Sequence, residues 1–202
     1  MAQEKIPLDA TRFATGMAWK DYLAQMGDTK ARTEENYNKA SLTADEKQFF
    51  SGLNQVKHVL MMAENWCGDV HRNSPMIARI VEAMPGTEMR VFFRDQNPDL
   101  TDCFLNNGYR SIPIVAFFDK DWNEIGRWIE RPGAATQKSY AIRATTVDVA
   151  GEDQTKKDAA MAEFRKQVQA GYDTAPDKSL WRETVKEVRS VLETRLGLAG
   201  KK

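Results

Sequence analysis

The 202-residue chain is long enough for one sizeable hydrophobic core with terminal additions, so its length favours one compact domain over two. Its 29 basic and 29 acidic residues balance, which gives no global electrostatic reason to expect binding to nucleic acid or to an anionic membrane. No apolar run approaches the roughly 20 residues of a membrane-spanning helix, and the first residues lack an apolar signal-peptide core. A cytoplasmic location is therefore expected.

The cysteine content argues against a disulfide framework and against a metal site. Only Cys67 and Cys103 are present, and no set of cysteines and histidines has the spacing of a structural zinc site. We therefore expect no metal and no cofactor beyond thiols. The sequence gives no indication of the oligomeric state.

Residues 1–55 are predicted to form a helical extension packed on the core. Apolar residues recur at three-to-four spacing in "TRFATGMAWKDYLAQM", which is typical of an amphipathic helix. The later stretch "SLTADEKQFFSGL" opens with a capping-box pattern, in which Thr43 is the N-cap and Glu46 stands three positions on.

Residues 56–133 are predicted to form the core, because the pattern changes there to short strands. The buried strand "VKHVLMMA", a helix over 68–84 and the strand "TEMRVFFRD" form a βαβ unit with a right-handed crossover. A short helix in "NPDLTDCFLNNG" precedes the strands "PIVAFFD" and "EIGRWIE", which are close enough for a hairpin.

Residues 134–202 are predicted to form a helical C-terminal extension. A polar stretch is followed by two amphipathic helices, "DQTKKDAAMAEFRKQVQAGY" and "DKSLWRETVKEVRSVLETRLG". Each has its apolar residues on a single face, so we expect both helices to cover one side of the sheet.

Two stretches in this order and spacing resemble a known family: "NWCGDV" at 65–70 and "RSIPIVAFF" at 110–118. They are similar to the thioredoxin-like family, and the terminal helices resemble its bacterial thioredoxin-like branch. The resemblance implies a three-layer α/β/α fold with a mixed sheet, here with extra helices at both termini. It also implies that the Ile112–Pro113 bond is cis and that Pro113 faces the sulfur of Cys67.

The chain departs from the family pattern at three positions. Val70 stands where the family has its second cysteine, so no intramolecular thiol is present in this motif to resolve a mixed disulfide. Met61 replaces a buried aspartate that assists proton transfer in the family, and Val91 replaces a lysine on the next strand. The resemblance therefore implies a nucleophile without its usual partners.

Cys67 is the candidate catalytic residue, because a helix beginning at this point directs free backbone N–H groups and its positive end toward the sulfur. These features predict a lowered thiol pKa, although Asp69 in the first turn opposes a thiolate. His71, one turn further on, is interpreted either as a donor to the thiolate or as a solvated surface residue.

The candidate substrate-binding residues are Trp66, Gly68, Asp69, Ile112 and Pro113. Gly68 and Asp69 form the loop at the helix start, and Pro113 anchors the groove. Trp66 is interpreted either as a platform for the substrate or as a packing residue.

Three functions are compatible with this site. The first is a monothiol redox protein whose Cys67 exchanges with protein thiols and disulfides or with glutathione, an outside thiol completing the cycle. The second is a non-catalytic thioredoxin-fold binding protein that keeps the groove without turnover. The third is a single-cysteine peroxide sensor.

Overall fold

The computed structural model describes residues 6–175 and 178–198, so the predicted start of the last helix at residue 177 lies outside the described residues. Four strands are present in the described part of the chain: β1 (His58–Ala63), β2 (Glu88–Phe93), β3 (Ile114–Phe118) and β4 (Glu124–Ile129). The helices are α1 (Ala10–Ala14), α2 (Trp19–Ala24), α3 (Lys30–Lys39), α4 (Ala44–Ser51), α5 (Gly68–Glu82), α6 (Pro98–Thr101), α7 (Gly133–Thr145), α8 (Gln154–Ala170) and α9 (Leu180–Arg195).

The strands form one mixed sheet with the order β2-β1-β3-β4. β1 and β2 run parallel, as expected for a βαβ unit, whereas β3 is antiparallel to both β1 and β4. β1, β3 and the facing side of α5 supply fully buried apolar residues, so the core lies between this helix and the centre of the sheet.

Helices cover both faces of the sheet, which confirms the predicted three-layer α/β/α fold. On one face, α9 packs over β4, and Trp128 donates a hydrogen bond to Glu187 at 2.9 Å. On the other face, Arg127 donates to the carbonyl oxygen of Cys103 at 2.9 Å and lies over the ring of Phe104. The alternation of side chains along β4 therefore sends neighbouring residues to different layers.

The capping box predicted at the start of α4 is present, with Thr43 and Glu46 each accepting from the other's backbone N–H. The 134–145 segment, which the sequence analysis described only as polar, is most of helix α7. Only Ala135, Ser139 and Ile142 are buried along this helix. Its sequence therefore shows little of the helical repeat of apolar residues by which a helix is predicted.

The expectation that both C-terminal amphipathic helices cover the sheet is wrong for α8. This helix packs mainly on α7, and Val168 is its one buried residue. Met161 and Phe164, which share its apolar face, instead line a cleft beside the start of α5.

Pro75 lies inside α5 and explains why the terminal helices form hydrogen bonds to the backbone of this helix. Proline has no N–H, and its ring disturbs the preceding turn, so carbonyl groups one turn earlier need other donors. The carbonyl oxygen of His71 accepts from the buried Asn36 side chain of α3 at 2.8 Å, and that of Arg72 accepts from Trp181 Nε1 of α9 at 2.6 Å. Both extensions are therefore bonded directly to the first half of α5.

We expect Trp181→Phe to lower the free energy of unfolding by about 1–3 kcal/mol, because it leaves the buried carbonyl of Arg72 without this donor. Denaturant unfolding measures the change. Trp19→Phe is the matched control, since the Nε1 of Trp19 is buried without a hydrogen-bond partner in the described structure. Equal losses in the two variants would contradict the assigned role of the Trp181 hydrogen bond.

Candidate functional site

Cys67 lies where β1 leads into α5 and is the N-cap residue of that helix. Its side chain is half-buried, and Sγ lies 3.7 Å from the carbonyl oxygen of Ile112, to which the thiol donates. The Ile112–Pro113 bond is cis, as predicted from the resemblance. The structure thus brings Cys67 to the Ile112–Pro113 segment, 45 residues further along the chain.

The pKa of the Cys67 thiol is raised above its ordinary value, chiefly because burial disfavours the thiolate. The backbone N–H groups of Val70 and Asp69 act in the opposite direction, as expected at a helix start, and so does Arg131. Burial outweighs them. The predicted lowering of this pKa is therefore wrong in direction, although the predicted helix-start contribution is present.

Asp69 is held by two arginines beside the thiol. Its carboxylate accepts from Arg131 at 2.8 Å and lies 3.6 Å from Arg72. Burial raises the pKa of Asp69, while these two cations lower it. Arg131 follows β4 in "ERPG", where no local pattern marks it as a site residue, so the sequence analysis missed it.

The positions at which the family has an aspartate and a lysine are apolar and fully buried. Met61 and Val91 are register partners on β1 and β2, and both have no exposed surface. Val70 is also completely buried. These three positions therefore supply no acid or base for proton transfer.

His71 is buried, so its interpretation as a solvated surface residue is wrong. Nε2 lies 2.6 Å from the carbonyl oxygen of Asn65. The imidazole ring thus forms its hydrogen bond with Asn65 and not with Cys67. Burial lowers the pKa of His71. A role in donating to the Cys67 thiolate has no hydrogen bond to support it among the described residues.

Trp66 is exposed over 58% of its surface, so it is not a packing residue. The guanidinium of Arg94 lies over its ring, 4.9 Å from the centroid. Gly68 begins α5 beneath Arg72, and a Cβ at this glycine would lie only 2.9 Å from Arg72 Nη1. The glycine therefore lets that guanidinium approach the helix start.

Cys103 is half-buried, and it donates through Sγ to the carbonyl oxygen of Asp99 at 3.3 Å. No disulfide joins Cys67 to Cys103 in the described structure. Cys103 follows α6 on the face of the sheet opposite α9, whereas Cys67 begins α5. The two thiols thus have different surroundings.

Within residues 6–175 and 178–198, no group of three or more His, Cys, Asp or Glu side chains is placed to hold a metal ion. Among the same residues, no helix is both long and apolar enough to cross a membrane.

We expect Asp69→Asn to accelerate alkylation of Cys67 near neutral pH by about two- to tenfold, because it removes the carboxylate that opposes the thiolate. In the unmodified protein the rate should keep rising above the pH at which an ordinary thiol is fully ionised, since the pKa of Cys67 is raised. Iodoacetamide labelling with peptide mapping measures each cysteine separately.

Asp148→Asn is the matched control, because Asp148 also pairs with an arginine, Arg143 at 3.2 Å, away from the site. An Asp69→Asn rate no higher than that of the control would show that the carboxylate does not restrain the thiol.

Comparison with known proteins supports the fold derived from these features. A family model described as Thioredoxin matches residues 16–144. A protein of unknown function from Pseudomonas aeruginosa has a TM-score of 0.63 at 16% identity, over 93% of this chain and 98% of that one. An HIV epitope scaffold has a TM-score of 0.61 at 15% identity, over 90% and 95% of the two chains. No match was found among curated proteins. Because the family model covers more than half of its length, the chain belongs to the thioredoxin-like family.

Proposed function

We propose that the protein is a monothiol redox protein that carries out thiol–disulfide exchange through Cys67. The observation that carries the proposal is the position of this half-buried thiol, at the start of α5 and against the carbonyl of Ile112 before the cis proline. The proposed partners are protein thiols and disulfides or glutathione, and the proposed setting is the cytoplasm, where such thiols are kept reduced.

The exchange requires two successive displacements. In the first, the Cys67 thiolate attacks a substrate disulfide, so that a Cys67–substrate disulfide forms, the original sulfur–sulfur bond breaks and the departing sulfur takes up a proton. In the second, an outside thiol loses its proton and attacks the mixed disulfide. This releases Cys67 as a thiolate and leaves the substrate joined to the outside thiol.

The local geometry supports the first displacement in two ways. The N–H groups of Asp69 and Val70 stabilise a negative charge on the sulfur, and such groups act at no cost of reorganisation because the helix already holds them. The exposed Trp66 next to the thiol offers a surface on which a substrate can lie.

The raised pKa of Cys67 favours a second candidate, a thioredoxin-fold binding protein without turnover. Completely buried Val70 and Met61, at the places of a resolving thiol and a proton-transferring acid, support the same alternative. The raised pKa of Cys67 also counts against peroxide sensing, because oxidation to sulfenic acid depends on the thiolate just as the exchange reaction does.

We expect glutathione disulfide to add one glutathione to the protein, on Cys67, and added glutathione to remove it. Intact mass with peptide mapping follows both steps. Cys103→Ser should still form the adduct, and Cys67→Ser should not form it. Failure of the native protein to form the adduct even at alkaline pH would favour the binding protein, and a Cys67–Cys103 crosslink would contradict the monothiol mechanism.

We expect the unmodified protein to reduce insulin disulfides poorly and Val70→Cys to reduce them faster, because the new thiol resolves the mixed disulfide within the molecule. Insulin turnover with a regenerating reductase measures the change. The double variant Cys67→Ser, Val70→Cys is the control and should be inactive. Rapid turnover by the unmodified protein would show that another thiol already performs the resolving step.

A further inference from the structure

A cleft of about 360 Å³ lies beside the start of α5. The start of α5 and its approach contribute five residues to the cleft walls, Arg131 contributes a sixth, and the terminal extensions contribute residues of α3, α7 and α8. Ligand pockets commonly begin at about this size. Its lining residues are Thr29, Arg32, Trp66, Gly68, Asp69, His71, Arg72, Arg131, Ser139, Met161, Phe164, Arg165 and Val168.

The cleft carries an excess of positive charge. Four of its described lining residues are arginines and one, Asp69, is an acid. Asp69 pairs with both Arg72 and Arg131, and Arg131 also pairs with Glu130. These two carboxylates thus leave two of the four guanidinium charges unbalanced.

The unbalanced charges belong to the rim arginines, Arg32 of α3 and Arg165 of α8. Both side chains are exposed, and neither forms an ion pair with any residue in the described structure. Arg32 also acts on Arg72, whose pKa is lowered mainly by burial and further by this neighbouring cation. An anion between them would relieve that repulsion.

Three residues of the cleft have a buried polar atom without a partner among the described residues: Arg72 Nε, Arg131 Nε and Ser139 Oγ. Ser139 is 8% exposed and Arg72 is 7% exposed, and neither Ser139 Oγ nor Arg72 Nε has a hydrogen-bond partner. Buried polar groups normally have partners, so groups left without them call for a bound molecule or water. A hydroxyl and a guanidinium N–H both donate well to an acidic oxygen.

The cleft also has an apolar part. Met161, Phe164 and Val168 lie along one side of α8, and the indole of Trp66 adds an aromatic surface. A ligand that fits both kinds of lining carries acidic oxygens on a short carbon skeleton.

We propose that this cleft binds a small organic dianion, a dicarboxylate or a phosphate monoester, whose acidic oxygens accept hydrogen bonds from Arg72, Ser139 and the two rim arginines. The site lies beside Cys67 but does not require the thiol, so it is independent of the proposed exchange reaction.

Isothermal titration calorimetry with phenyl phosphate and with succinate, at ~pH 7.5 where the phosphate ester is mainly a dianion, tests the proposal. Saturable one-to-one binding of either compound is expected, and the preferred one identifies the acidic group. Sodium chloride at the same ionic strength should not displace the bound compound. Arg32→Gln and Arg165→Gln should each raise the dissociation constant about tenfold, because each removes a charged hydrogen-bond donor.

Lys166→Gln is the matched control, since this neighbour of Arg165 on α8 loses the same charge but does not line the cleft; it should change the dissociation constant less than about twofold. Ser139→Ala should weaken binding without lowering the unfolding temperature, because its hydroxyl has no partner to lose. Cys67→Ser should bind normally, which separates this result from the redox proposal.

Absence of saturable binding by both compounds would overturn the proposal. So would equal weakening by Lys166→Gln and Arg165→Gln, because that result would indicate a general charge effect.

Discussion

The interrupted hydrogen-bonding of α5 is the constraint on which the rest of the structure depends. Pro75 leaves carbonyl groups near the start of this helix in need of other donors, and Asn36 and Trp181 supply them from α3 and α9. A buried carbonyl without a donor is costly, so these hydrogen bonds from the docked extensions stabilise the helix start that carries Cys67. The terminal helices are therefore part of the site rather than additions to it.

The state of Cys67 reflects a competition between two physical effects. A helix start favours a thiolate through its N–H groups, whereas burial favours the neutral thiol. Here burial is the larger effect, and the buried apolar residues Met61 and Val91 carry no charge that could compensate it. Asp69 opposes the thiolate while Arg131 supports it, so the two members of this ion pair act on the pKa of Cys67 in opposite directions.

The same docking that supports α5 also creates the cationic cleft. Arg32 comes from the N-terminal extension and Arg165 from the C-terminal one, and Arg131 joins them from the end of β4. Guanidinium groups that lie close together repel one another unless negative charges lie nearby. The candidate thiol site and the proposed anion site therefore adjoin at the start of α5.

The sequence alone determined the features that depend on local pattern: the strands and helices of the core, the capping box of α4, the missing second cysteine and, through the family resemblance, the cis Ile112–Pro113 bond. Only the tertiary structure decided the direction of the Cys67 pKa, the burial of His71 and the position of α8 away from the sheet. It also brought together Asp69 and Arg131, which are 62 residues apart. Burial and the meeting of distant charges depend on how elements pack, and neither hydrophobic period nor motif spacing encodes that packing.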